Sequence, residues 1–218
     1  MNQHKKAITS ELKAIYAEIK DDIVKRLAEF TKIWDSYTDE ELFAEFTFCL
    51  LTPQSKARKC WAAVQNLVSH KVLINGTADE IVQHLEGVRF HNNKTRNIIE
   101  AREKFLINGK FVIKDKLNML DVRQAREYLV QNVKGYGFKE ASHFLRNIGK
   151  GDEIAILDRH ILRNLVNFKV IQKQPASISK KIYYEIESQM KIFAHKIEIP
   201  LAHLDILFWF KEAGEIFK

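Results

Sequence analysis

The sequence predicts an all-α fold, and three observations predict it. Apolar residues recur at three- and four-residue spacing through most of the chain. Helix-start signals stand directly before those stripes. All eight glycines fall between the stripes and none within one, which is where residues of poor helix propensity belong. With 46% hydrophobic residues in 218, the chain has enough apolar surface for a core and too much for a disordered segment.

The elements follow in order. Leu12, Ile15, Ile19, Ile23 and Leu27 form the stripe of a first helix. Thr38-Asp-Glu-Glu41 is a capping box before Leu42, Phe43, Phe46 and Leu50, and Pro53 closes that helix. A third helix carries Ala57, Trp61, Val64 and Val68. Thr77-Ala-Asp-Glu80 opens a short one that Gly87 ends. Residues 93–106 carry Ile98, Ile99 and Phe105; Asn108-Gly109 is a turn, and Phe111-Val-Ile113 reads as a short extended piece. Asp121 caps a helix through Ala125, Tyr128 and Leu129. Beyond Asp158 come Ile161, Leu162 and Leu165. Ser179 starts a helix with Ile182, Ile186, Met190, Phe193 and Ile197. The last helix spans residues 200–213 and stops at Gly214. No repeat, low-complexity stretch or flexible linker interrupts the series, so a single unit over 1–218 is expected.

Charge and composition narrow the function classes. Thirty-five Lys and Arg against 28 Asp and Glu give +7, which suits a polyanionic partner. No run of 18 apolar residues exists, so no membrane span is predicted. The opening Met-Asn-Gln-His-Lys-Lys lacks a long apolar core after its charges, so no secretion signal is expected. Cys49 and Cys60 alone supply neither a disulfide framework nor a four-cysteine metal or iron–sulfur site. The expectation is an intracellular, monomeric protein without metal or cofactor.

Residues 133–147 organise the chain. They read as a helix end, a glycine hairpin Gly135-Tyr136-Gly137 and the start of a second helix. Glycines two apart suit positive φ or close backbone approach, and Ala141 lets the two helices pack closely. Backbone N–H groups at such a turn and helix start make an anion site, for which a DNA phosphate is a natural ligand. Lys139 adds an amine in the first turn. The plain alternative is a simple turn followed by a solvated lysine.

The longer pattern decides between them. Gly135-Tyr-Gly137-Phe-Lys139-Glu-Ala141-Ser-His143-Phe-Leu-Arg-Asn-Ile-Gly149, followed by Ala155-Ile-Leu-Asp158-Arg-His160, resembles the helix-hairpin-helix superfamily of DNA glycosylases. Within it the chain is most similar to the archaeal and bacterial 8-oxoguanine DNA glycosylase/AP lyases, densely over residues 129–165 and more thinly elsewhere. One departure is that the loop 149–153 has no proline, where the superfamily often has one. The resemblance implies two helical lobes with DNA along the cleft between them, a hairpin motif at about residues 129–148, and a lobe of roughly 117–169 around it. It implies double-stranded DNA containing oxidised guanine as substrate, with the damaged base flipped out of the duplex.

Carried over residue by residue, the catalytic pair is Lys139 and Asp158. Breaking the bond from base to sugar develops positive charge on the sugar; a carboxylate stabilises it and a neutral amine captures C1′ as a Schiff base. Asp158 also reads as an ordinary helix cap, and both roles fit one carboxylate. Gln54 stands where relatives fill the gap left by an extruded nucleotide. Phe90 and Trp209 match aromatics that sandwich the flipped base. Asp205 and the terminal carboxylate of Lys218 are expected to read that base. Gly135, Tyr136 and Gly137 hold DNA. His160 and His143 are structural or phosphate-side residues, because the chemistry needs neither as acid or base. Arg89, Lys94 and Arg96 are phosphate contacts or solvated charges. Two other readings remain open: a relative acting on oxidised pyrimidines or mismatched adenine, and a hairpin module that only binds DNA.

Overall fold

The computed structural model describes residues 3–218, with side chains from Thr9 onward. Its helices are α1 (Gln3–Ser36), α2 (Asp39–Leu51), α3 (Ala57–Ser69), α4 (Val72–Asn75), α5 (Ala78–Gln83), α6 (His91–Phe105), α7 (Ile113–Leu117), α8 (Val122–Asn132), α9 (Phe138–Asn147), α10 (Arg159–Asn167), α11 (Lys180–Ile197) and α12 (Leu201–Ala213). The strands β1 (Leu106–Ile107) and β2 (Lys110–Phe111) form one small antiparallel hairpin.

The caps expected from sequence are present. Thr38, Thr77 and Asp121 each close a capping box, with Glu41, Glu80 and Gln124 answering three residues on. Asp158 and Ser179 cap α10 and α11 through their side chains. Three boundaries differ. Phe90 adopts a left-handed conformation, so α6 begins two residues early, at His91. Asn108 and Gly109 both have positive φ, the two-residue turn that suits strand twist. It pairs Leu106 with Phe111 and Ile107 with Lys110, so the extended piece ends at Phe111. Ile113 opens α7 instead of extending the strand, because Asp39 on α2 accepts the Lys114 N–H at 2.7 Å. That cap comes from 75 residues away and has no local signal. The single turn α4 is likewise tertiary: Arg102 on α6 donates to the Gly76 carbonyl at its end (2.8 Å).

Two apolar clusters hold the chain. The first gathers α2 to α9 and the C-terminal half of α1, with Phe30, Phe46, Phe105, Leu129 and Phe144 at its centre. The second packs Leu12, Ile19 and Ile23 of α1 against α10, α11 and α12. Thus α1 runs through both. The expected lobe of residues 117–169 is divided by them: Ile154 belongs to the first cluster and Ala155 to the second. Of the hairpin helices, α9 packs on α2 and α8 packs on α9, while the segment before α10 turns into the other core.

Candidate active site

The glycine hairpin is fixed from below by Tyr136. Its ring is buried and stacks on Phe46 of α2, with centroids 4.5 Å apart, and its hydroxyl donates to the Phe46 carbonyl at 2.7 Å. The sequence placed Tyr136 among DNA contacts; its side chain lies in the core, so only its backbone remains for such a role. Gly135 is exposed with φ +87°, and a Cβ built there would sit 2.4 Å from Asn97 Nδ2. Gly137 caps α9, and Glu140 reaches back to accept its N–H at 3.1 Å.

α9 then delivers Lys139 to the C-terminal end of α2. The amine donates to Thr52 Oγ1 at 2.9 Å, and that hydroxyl donates to the Cys49 carbonyl at 2.8 Å. Glu140 Oε1 stands 3.6 Å from the amine. The Lys139 side chain keeps 23% of its exposure, so the amine is held yet still reachable.

Asp158 begins α10. Its Oδ1 accepts from both His160 N–H and Ile161 N–H at 2.8 Å, which leaves Oδ2 outside the cap. The cap therefore occupies one oxygen of this half-buried carboxylate and not the other.

Asp205 on α12 connects these groups. It is buried, with Arg146 Nη1 of α9 3.8 Å away. Burial pushes its carboxyl up to about 6; Arg146 and Lys139 pull down and the Asp158 charge pushes up. Asp205 thus feels both members of the expected catalytic pair. One turn on, Trp209 is half-buried, and the His160 ring meets it edge-on at 5.5 Å. His160 also lies 3.5 Å from Glu212. Five of the eight buried side-chain polar atoms without a partner among the described residues sit on α9 and α12: both ring nitrogens of His143, Arg146 Nε, Asn147 Oδ1 and Trp209 Nε1. His143 stays neutral, because burial and then the Arg146 and Lys139 charges hold its pKa well below the ordinary value.

The remaining expected residues lie along one edge. Gln54 is exposed in a left-handed conformation at the α2–α3 turn. Phe90 is 52% exposed, with the Arg89 guanidinium 5.5 Å from its ring. The two turns are joined, since Arg89 N–H donates to Ser55 Oγ (3.0 Å). Lys94 is neither a phosphate contact nor solvated. It is 5% exposed and donates to the Leu51 carbonyl (2.6 Å), the Pro53 carbonyl (2.8 Å) and Ser55 Oγ (3.0 Å). Those three acceptors make it a staple for the turn that carries Gln54 and Thr52. Burial, reinforced by the nearby Lys139 charge, pulls its pKa down to about 8.

Lys218 turns its amine inward. It pairs with Glu45 of α2, which is itself buried, and stands 3.7 Å from the Trp61 ring centroid. Phe217 packs edge-on to Phe48, and Arg58 ties down Glu215. The lysine amine therefore anchors the tail on α2 and α3, while Asp205 and Trp209 stand on α12. Among the described residues no group of three or more His, Cys, Asp or Glu is arranged to hold a metal ion.

Sequence reasoning missed Thr52, Glu45, Arg146 and Glu140. Thr52, Glu45 and Arg146 act through partners on other elements, with no local signal, whereas Glu140 closes the cap of its own helix, three residues after Gly137.

Known proteins match this chain in both sequence and fold. A family model described as 8-oxoguanine DNA glycosylase matches residues 23–199. A Fusobacterium nucleatum protein named 8-oxoguanine DNA glycosylase/AP lyase is 47% identical over 210 residues, covering 96% of this chain and 97% of that one. A relative of the same name from Methanocaldococcus jannaschii is 36% identical, covering 93% and 94%. The crystal structure of the Thermotoga maritima 8-oxoguanine DNA glycosylase superposes with TM-score 0.87 at 30% identity, over 98% of this chain and 100% of that one. The M. jannaschii 8-oxoguanine glycosylase/lyase, solved with a 15mer DNA containing 8-oxoguanine, also gives 0.87, at 32% identity over 97% and 100%. Since the family match takes in the hairpin, Lys139 and Asp158 together, and the relatives run nearly end to end with it, the chain belongs to the 8-oxoguanine DNA glycosylase family.

Proposed function

We propose that this chain excises 8-oxoguanine from duplex DNA with Lys139 as nucleophile, then cuts the strand 3′ to the abasic site. The observation that carries the reading is the setting of the Lys139 amine. It stands in the first turn of the helix behind the glycine hairpin, held by Thr52 and still partly open, with Asp205 and Asp158 in electrostatic reach of one another. The names of the relatives and the neighbour solved with damaged DNA support the same activity.

The chemistry follows from those positions. Hairpin and α9 N–H groups hold phosphates independently of sequence. The flipped base enters between Phe90 and Trp209, while Gln54 fills the gap it leaves. As the bond from C1′ to the base breaks, its electron pair leaves with the base, which takes up a proton. Asp158 Oδ2 faces the positive charge that grows on the sugar. The neutral Lys139 amine attacks C1′; one of its protons then passes to O4′ as the ring C1′–O4′ bond opens, and the C=N bond of a protonated Schiff base forms. That cation acidifies the C2′ protons. Loss of one of them expels the 3′-phosphate with the C3′–O electron pair, and water then releases the lysine.

Borohydride trapping on duplexes carrying 8-oxoguanine, an oxidised pyrimidine or a mismatched adenine tests the proposal. The 8-oxoguanine duplex should give the covalent complex, and Lys139→Gln should bind that duplex without trapping. An adduct formed by Lys139→Gln, or a clear preference for another base, overturns it.

A further inference from the structure

Behind the site, a buried polar cluster joins the two elements that carry Lys139 and Asp158. Arg126 of α8 is fully buried, and its guanidinium meets Glu187 of α11 in a two-pronged pair at 2.6 and 3.1 Å. Aromatic rings surround it, with Tyr184, Tyr183 and Phe138 centroids at 4.7, 5.3 and 5.6 Å. Replacing a buried ion pair with apolar side chains often leaves stability unchanged or higher, so stability alone is a weak reason for this one. Its hydrogen bonds suggest another.

Glu187 Oε2 also accepts the Ala155 N–H at 2.8 Å. The Tyr183 hydroxyl donates to the Ala155 carbonyl at 2.7 Å and accepts the Leu157 N–H at 3.2 Å. Two neighbouring side chains of α11 thus hold three backbone groups of residues 155–157, a stretch with no helix or strand partners of its own. The next residue is Asp158. The same cluster reaches α9: Ser142 Oγ lies 3.2 Å from the Tyr183 hydroxyl and 3.3 Å from Arg126 Nη1. Tyr183 has one proton and gives it to Ala155, so Ser142 donates to Tyr183 and accepts from Arg126. Ser142 stands one turn beyond Lys139 on its helix.

We infer that Tyr183, supported by Glu187 and Arg126, is a positioning residue that sets the separation between the Lys139 amine and the Asp158 carboxylate. The inference rests on the catalytic roles proposed above. The two groups come from different apolar clusters, and apolar packing between helices tolerates small slides that directional hydrogen bonds do not. Small displacements matter, since about 1 Å of misplacement can cost roughly a hundredfold in rate.

Tyr183→Phe removes only the hydroxyl and keeps the ring against Arg126. Single-turnover excision of 8-oxoguanine should fall by about tenfold or more, within the cost of a misplaced group. Affinity for the lesion duplex and cleavage at a preformed abasic site should change much less, because neither requires charge stabilisation as a base departs. On an Asp158→Asn background, the same substitution should cost nothing further in excision, since its effect passes through Asp158. Equal losses with and without the Asp158 carboxylate, or undiminished excision by Tyr183→Phe, overturn the inference. Should Tyr183→Phe fail to fold, Glu187→Gln, which keeps an acceptor for Ala155, is read by the same cycle. If Asp158→Asn alone leaves excision unchanged, the proposed catalytic pair fails, and the positioning role fails with it for that separate reason.

Discussion

Gly135→Ala tests the hairpin by two physical effects that the structure separates. At φ +87° an L-residue is strained, at a cost of about 1–2 kcal/mol. The new Cβ would also stand 2.4 Å from Asn97 Nδ2. That atom is the end of a flexible side chain on α6, so Asn97 can swing away; the backbone strain cannot be relieved without moving the hairpin. Adding Asn97→Ala therefore removes the clash and leaves the strain. The double variant should melt lower by about 2–8 °C, taking roughly 2–4 °C per kcal/mol for a chain of this size. Fluorescence anisotropy on undamaged duplex should show weaker binding for both variants, with a shallower fall in affinity as salt rises, because fewer phosphates are held. Tyr136 stays buried on Phe46 and keeps the hairpin in place, so the loss should be partial. Wild-type melting and binding in the double variant would refute the claim that the left-handed glycine shapes the phosphate grip.

Three further outcomes are expected. Asp158→Asn should slow base excision by about a hundredfold, the size of other lost electrostatic stabilisers, while melting stays near wild type because asparagine caps a helix about as well as aspartate. Asp205 has its carboxyl raised to about 6, so it is protonated below that pH and a bare acceptor above it. Excision relative to abasic-site cleavage should therefore fall as pH drops through 6, and Asp205→Asn should flatten that ratio. Extending the chain past Lys218 by a few glycines keeps the amine on Glu45 and moves only the terminal carboxylate, whereas truncation after Phe217 also strands the buried Glu45 charge. If the terminal carboxylate reads the base, extension should reduce 8-oxoguanine excision and spare abasic-site cleavage, and truncation should in addition lower the melting temperature.

What the sequence made legible was periodic or local. Apolar stripes and capping boxes located ten of the helices, because Thr38 with Glu41, or Asp121 with Gln124, act within one turn. The short helices α4 and α7 escaped because their stabilising partners, Arg102 and Asp39, arrive from distant elements. The site shows the same division. The glycines, Lys139 and Asp158 stand in a recognisable local pattern. Lys94 looked like any basic residue near a turn, and only its three acceptors on the α2–α3 turn reveal its task. Tyr136 misled in the opposite direction: a tyrosine between two glycines reads as exposed, yet the positive φ before it turns its ring into the core.

The proposed catalytic groups stand at a junction of two cores. Lys139 comes from the first cluster and Asp205 from the second, while Asp158 follows a segment that has just crossed between them. A deep single core would bury these charges at a cost of several kcal/mol each. At the junction Lys139 and Asp158 stay partly exposed while Asp205 is buried, which suits an amine that is held by Thr52 and proposed to reach a sugar carbon. A junction lacks the rigidity of a core, and three features restore it. The helix α1 runs through both clusters, Lys94 fixes the turn above the amine, and the Tyr183–Glu187–Arg126 cluster fixes the irregular segment before Asp158. Rigidity at this junction is thus supplied mainly by directional polar contacts, and these contacts, more than the apolar stripes, should govern how fast a correctly bound base is removed.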